Sequence, residues 1–247
     1  MPITRNIKIT LAYDGSAFFG WQIQPGQRTV QGTLEGCLSR ILGHRVSVIA
    51  AGRTDTGVHA LSQVINVHTH TPIPTDRLLS ALNNMLPHDI TALSADTAAP
   101  EFHARYMTQS KQYVYIIDTA GPISPFLSRY VLHVEYKIDM CAMEKAAGYF
   151  VGEHDFTSFM GTGSCVKTTL RRVRASEVIQ KKSKIYYFIE GDGFLRHMVR
   201  NIVGTLLLVA RGKLDPDDIP QIIKNRDRSC AGPTAPARGL YLFKVNY

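Results

Sequence analysis

The chain has 247 residues, 45% of them hydrophobic and 19% charged, enough apolar material for one large core or two smaller ones and too much for a disordered chain. Lysine and arginine outnumber aspartate and glutamate by 28 to 20, and the net charge of +8 favours an anionic partner. The longest apolar run, 206–210 behind Ile202-Val203-Gly204-Thr205, falls far short of the ~20 residues that span a bilayer, and the opening residues carry no secretory pattern, so the expectation is a cytoplasmic protein without a membrane segment.

Ile7, Ile9, Leu11 and Tyr13 alternate with Lys8, Thr10 and Ala12 and stop at Asp14-Gly15, the pattern of a strand running into a turn. From Val30 the apolar spacing becomes helical through Leu34, Cys37, Leu38, Ile41 and Leu42, with Thr29 placed to cap the start and Gly43 to end it. Residues 46–50 and 63–68 predict strands joined by the loop 51–61, and Leu78, Leu79, Leu82, Met85 and Leu86 predict a second helix capped near Thr75. After Pro100 a similar order recurs: strands at 111–117 and 130–134, then a helix begun by Asp139 with Met140, Met143, Ala147 and Phe150 inward. Strands at 172–180 and 184–190 follow, linked by Lys181-Lys182-Ser183. Leu195, Met198, Val199, Ile202, Val203, Leu206, Val209 and Ala210 cover most of the circumference of a deep helix. Asp215-Pro216 opens a shorter one, and 239–245 closes the chain as a strand. The pattern predicts an α+β protein of two similar α/β halves, 1–104 and 105–247.

The densest polar cluster is the loop Gly52-Arg53-Thr54-Asp55-Thr56-Gly57-Val58-His59. Its glycines have P-loop separation, but Val58 stands where the lysine belongs, and Gly161-Thr162-Gly163 lacks the third glycine of a dinucleotide fingerprint; both nucleotide readings fail. Asp55 reads either as a turn aspartate bonded to its own backbone or as an activated carboxylate, ionised beside a guanidinium and able to attack an electrophilic carbon. His59, His68 and His70 lack the spacing and partners of a metal site, and Cys37, Cys141, Cys165 and Cys230 form no C-x-x-C pair, so neither metal nor disulfide framework is expected. Tyr113 and Tyr115 share a strand face, either capping the core with hydroxyls in water or offering a ring to a splayed-out base. Arg196 and Arg200, one turn apart, are expected on one helix face, each needing an aspartate or a phosphate. Arg171, Arg172, Arg174, Lys181, Lys182 and Lys184 read as a basic track or a solvated face.

Taken together, the motifs resemble the TruA-type tRNA pseudouridine synthases nearly end to end. The resemblance runs through Tyr13-Asp14-Gly15 with Phe19-Gly20-Trp21-Gln22, Gly52-Arg53-Thr54-Asp55, Phe102-His103-Ala104-Arg105, Lys111-Gln112-Tyr113-Val114-Tyr115, Asp155-Phe156-Thr157-Ser158-Phe159, Phe194-Leu195-Arg196-His197-Met198-Val199-Arg200-Asn201 and Gly239-Leu240-Tyr241-Leu242. Thr56 and Ala237 are small departures, alanine and proline being the more familiar residues there. The resemblance implies two α/β halves around a basic cleft, a homodimer, no cofactor or metal, and conversion of uridine to pseudouridine at positions 38–40 of the tRNA anticodon stem-loop. It implies Asp55 as nucleophile, Arg200 as its ion-pair partner, Tyr113 stacked on the target base, Arg53 contacting the RNA or helping to flip the base, and Arg196, Phe102 and His103 on the substrate. The competing expectation is a tRNA-binding module or chaperone that performs no chemistry.

Overall fold

The computed structural model describes residues 4–163 and 166–247, so Cys165 lies outside the described residues. The chain forms two compact units: residues 4–109 with 241–247, and the described residues between 110 and 240. The elements in chain order are β1 (Arg5–Tyr13), α1 (Val30–Leu42), β2 (Val48–Ala50), β3 (His59–Thr69), α2 (Thr75–Met85), β4 (Ile90–Ala98), β5 (Ser110–Asp118), β6 (Leu132–His133), α3 (Met140–Gly148), β7 (Gly152–Asp155), β8 (Leu170–Lys181), β9 (Lys184–Gly191), α4 (Met198–Ala210), α5 (Ile219–Asn225) and β10 (Leu240–Asn246). Among the described residues no helix is long and apolar enough to cross a membrane.

In the first unit β1 runs antiparallel to β3 on one side and β4 on the other. Its alternation buries Ile7, Ile9 and Leu11 fully and Tyr13 almost so, opposite Val67, Ile65, Gln63 and Ala60 of β3. The other edge of β3 is shared: β10 pairs with its start in parallel, Tyr241 opposite His59, and β2 pairs antiparallel further along, Val48 opposite Val67. The closing strand, grouped with the second half by chain order, thus sits in the first unit. Thr29 accepts the Gly32 amide at 3.3 Å and Gly43 ends α1 at φ 74, both as the spacing predicts. Leu34 and Leu38 of α1 and Leu78 and Leu82 of α2 are fully buried, each contributing about 1.5–3 kcal/mol. Thr75 turns out to be the first residue of α2 rather than its cap; Pro74 holds the cap position without a side-chain bond. Strand β4 was not expected from its polar sequence; it lies at the outer side of β1, where a strand buries only alternate positions such as Ile90 and Ala92.

The second unit carries the antiparallel run β5, β9, β8, β7, with β6 added to β5 in parallel. Lys182, at φ 55, makes the tight turn between β8 and β9. In this unit α4 is buried over nearly its whole surface and packs against α3, which in turn lies against β8. Gly204 is why α4 can lie so deep: a Cβ there would stand 1.6 Å from the Pro233 carbonyl oxygen. The helix starts at Met198, later than the apolar spacing suggests, because His197 adopts a left-handed conformation at φ 58. Both units carry the antiparallel-dominated α+β architecture that the sequence predicts.

Candidate active site

The loop carrying Asp55 occupies residues 51–58, between β2 and β3 in the first unit, and main-chain contacts clamp it on three sides. The Ala51 amide donates to the Val64 carbonyl at 2.8 Å and the Gln63 side chain donates to the Gly52 carbonyl at 2.8 Å. From the other side the Trp21 amide donates to the Thr54 carbonyl at 3.0 Å. Gly20, at φ 78, permits this approach, since a Cβ would stand 2.8 Å from the Thr54 oxygen. Within the loop the Val58 amide closes a turn on the Asp55 main-chain carbonyl at 3.1 Å. Asp55 is half-buried and Arg53 is exposed.

Beneath the loop, the hydroxyls of Tyr13 and Thr54 are 2.8 Å apart in a fully buried pair. Burial pushes the Tyr13 phenol up to about 12, with the Thr54 contact pulling in the opposite direction, so the ring stays neutral near physiological pH. The buried His59 ring accepts the Gly15 amide at Nδ1 (3.1 Å) and stacks on Tyr241 at 4.7 Å. The motif residues Tyr13, Gly15, Gly20 and Trp21 are therefore the bed of the Asp55 loop, a role that sequence spacing alone did not assign to them.

In the second unit Tyr113 lies on β5 with its ring edge-on to Phe194 at 5.2 Å, and it is 8% exposed. Its neighbour Tyr115 does not place its hydroxyl in water: the group is buried, donates to the Pro236 carbonyl at 2.8 Å, and has its acidity strongly suppressed by that burial. Arg200, on the first turn of α4, donates from Nε to the Ala235 carbonyl at 2.7 Å, while the Ala235 amide returns a bond to the Arg200 carbonyl at 3.1 Å. Next to it the fully buried Asn201 donates to the Phe159 carbonyl (2.7 Å) and accepts from Thr234 (2.6 Å) and Arg228 (3.1 Å). An asparagine inside an apolar helix is the signal that could have revealed this bracket, because a buried amide must find partners.

Arg196 and Arg200 do not share a helix face. Arg196 precedes α4, beyond the left-handed His197, is exposed, and donates to the Thr162 carbonyl at 3.0 Å, while Arg200 turns to Ala235. Of the basic track, Lys184 lies 3.7 Å from Asp118, a structural pair at the end of β5 and β9. Phe102 and His103 belong to the first unit but not to the Asp55 loop. Their segment is fixed beside Asn66, seven residues along β3 from His59, roughly 20 Å away at strand rise.

The profile of the tRNA pseudouridine synthases matches residues 9–107 and 146–247 of the chain. The chain belongs to the tRNA pseudouridine synthase family. It is 45% identical over 243 residues to tRNA pseudouridine synthase A of Acetivibrio thermocellus, covering 98% of this chain and 100% of the relative. It is 48% identical over 243 residues to the protein of that name from Moorella thermoacetica, covering 98% and 99%. Likeness to solved structures is looser: the archaeal box H/ACA sRNP Nop10–Cbf5 complex gives a TM-score of 0.36 and 11% identity, over 91% of this chain and 60% of that one. The motifs of this family thus lie in both units, with a main-chain cradle around Asp55 in the first and a side-chain bracket around Arg200 in the second.

Proposed function

We propose that the chain isomerises uridine to pseudouridine at positions 38, 39 and 40 of the tRNA anticodon stem-loop. It works in the cytoplasm as a homodimer, and its excess of positive charge binds the RNA. The reaction breaks the bond from C1′ to N1, turns the uracil while it is held, and forms a bond from C1′ to C5; C5 loses a proton and N1 gains one. The nucleoside keeps its composition, so no oxidant, reductant or nucleotide is consumed.

Asp55 is the nucleophile, Arg200 its counter-ion, Tyr113 the stacking partner of the extruded base, and Arg53 the contact that helps to flip it. Arg196, Phe102 and His103 serve the RNA outside the reacting atoms. Unstacking the base costs a few kcal/mol, which phosphate contacts and the Tyr113 ring offset. The observation that carries this reading is the family's Gly52-Arg53-Thr54-Asp55 motif, set in a loop whose turn closes on the Asp55 main-chain carbonyl with the residue half-buried.

The decisive experiment follows tritium release from 5-labelled uridine in tRNA. Asp55→Asn should lower turnover by at least about a thousand-fold while tRNA binding persists. Retained turnover in that variant would remove Asp55 from its role. Wild-type protein that binds anticodon arms but releases no tritium would make the chain a tRNA-binding module instead.

A further inference from the structure

We infer that Tyr106 and Arg105, on the segment between β4 and β5, form a stacking platform for an unpaired base of the tRNA, apart from the loop that carries Asp55. This rests on the tRNA reading above and assigns a contact that the catalytic residues do not supply.

The platform has a rigid base. Asn6 and Asn66 are buried in the sheet; Asn66 donates to Asn6 at 3.0 Å, and Asn6 donates to the Phe102 carbonyl at 2.7 Å. Asn66 also accepts the Ala104 amide at 2.9 Å, and the Tyr247 hydroxyl donates to the Ala104 carbonyl at 2.8 Å. A segment pinned by so many buried bonds is ordered, yet Tyr106 is 77% exposed. One side of its ring is covered by His103, stacked at 4.2 Å and 29°, and the Arg105 guanidinium lies 5.8 Å from the ring centre.

His103 is committed to this support. Its Nδ1 accepts the Arg105 and Tyr106 amides, both at 3.2 Å, so the imidazole orients the tyrosine. Phe102 is likewise occupied, tilted against Tyr247 at 5.0 Å with the Lys8 ammonium over both rings. His103 and Phe102 are therefore positioning residues, and Tyr106 carries the open ring.

A solvent-facing tyrosine on a pinned segment, stacked on one histidine and beside an arginine, suits a nucleobase and its phosphate. A base stacks on the ring, and the guanidinium meets the backbone. The net charge of +8 favours an anionic partner, as RNA is, over an apolar surface.

The test compares wild-type enzyme, Tyr106→Ser, Tyr106→Phe and Arg105→Ala on unmodified tRNA at fixed salt, measuring Kd, KM, kcat and sedimentation mass. Tyr106→Ser should raise Kd and KM about 5- to 150-fold, the range of one lost base stack, with kcat unchanged. Tyr106→Phe should bind like wild type, and Arg105→Ala should reduce the salt slope of binding by about one. Unchanged Kd and KM in Tyr106→Ser would overturn the inference, and so would equal losses in Tyr106→Ser and Tyr106→Phe. A changed sedimentation mass with unchanged tRNA affinity would also overturn it, by making the surface a contact between copies. Failure of the catalytic reading shows separately, as wild-type protein that makes no pseudouridine; the Kd comparison still decides the platform.

Discussion

The bed of Asp55 and the bracket of Arg200 solve the same problem by different means. Around Asp55 the contacts run through amides and carbonyls of Ala51, Gly52, Thr54 and Val58, so the loop is held largely by its main chain. Around Arg200 the contacts converge on one side chain, Asn201, which ties α4 to Phe159, Thr234 and Arg228 at once. A main-chain clamp is vulnerable where a glycine permits close approach, and a side-chain hub is vulnerable at the hub. The difference predicts where single substitutions are most damaging.

Asn201→Ala should have the largest effect on stability, because it leaves the Phe159 carbonyl, the Thr234 hydroxyl and part of the Arg228 guanidinium short of partners inside the unit. A loss of about 3–4 kcal/mol is expected, read as a fall in the urea midpoint together with reduced turnover. A midpoint within experimental scatter of wild type would dissolve the hub. Gly20→Ala comes next: a left-handed φ of 78 and a Cβ at 2.8 Å from the Thr54 oxygen should cost about 1–3 kcal/mol, and kcat should fall more than tRNA affinity as the Asp55 loop shifts. Equal losses in kcat and binding would mean that the clamp shapes the whole unit and not the loop.

Tyr13→Phe is the smallest of the three, about 1–2 kcal/mol for an unpaired Thr54 hydroxyl, and it has a pH signature. The Tyr13 phenol titrates at about 12 in the folded chain against 10.0 when unfolded, so the folded state holds its proton more tightly. That share of stability is complete below pH 10 and is lost as pH rises from about 10 to about 12. Urea midpoints of wild type should therefore fall more steeply between about pH 10 and pH 12 than those of Tyr13→Phe. Tyr115 and Tyr187, raised by burial in the same direction, keep some of the slope in the variant. Parallel slopes would show that Tyr13 is hydrated in solution.

The legible parts of this fold are those governed by neighbours along the chain. Thr29 and Gly43 bound α1, and Asp139 caps α3 by accepting the Ala142 amide, because capping is settled within a few residues. The two readings of Asp55 and Tyr113 were legible as alternatives, and the motifs around them pointed to the family. What stayed hidden depended on distant partners. Strand β4 is too polar to announce itself and exists because β1 offers it hydrogen bonds. Arg196 left the expected helix face because the turn at His197, whose ring lies against Gly161, ends the helical register before it.

By itself the sequence determined most of the element types, several of their caps and the excess of positive charge, and its motifs pointed to the family, since periodicity, capping and composition act locally. Only the tertiary structure decided that β10 returns to the first unit, that Tyr13 and Trp21 hold the Asp55 loop, and that His103 supports Tyr106. The first two depend on groups finding hydrogen-bond partners tens of residues away, and no local pattern names the partner that burial will supply.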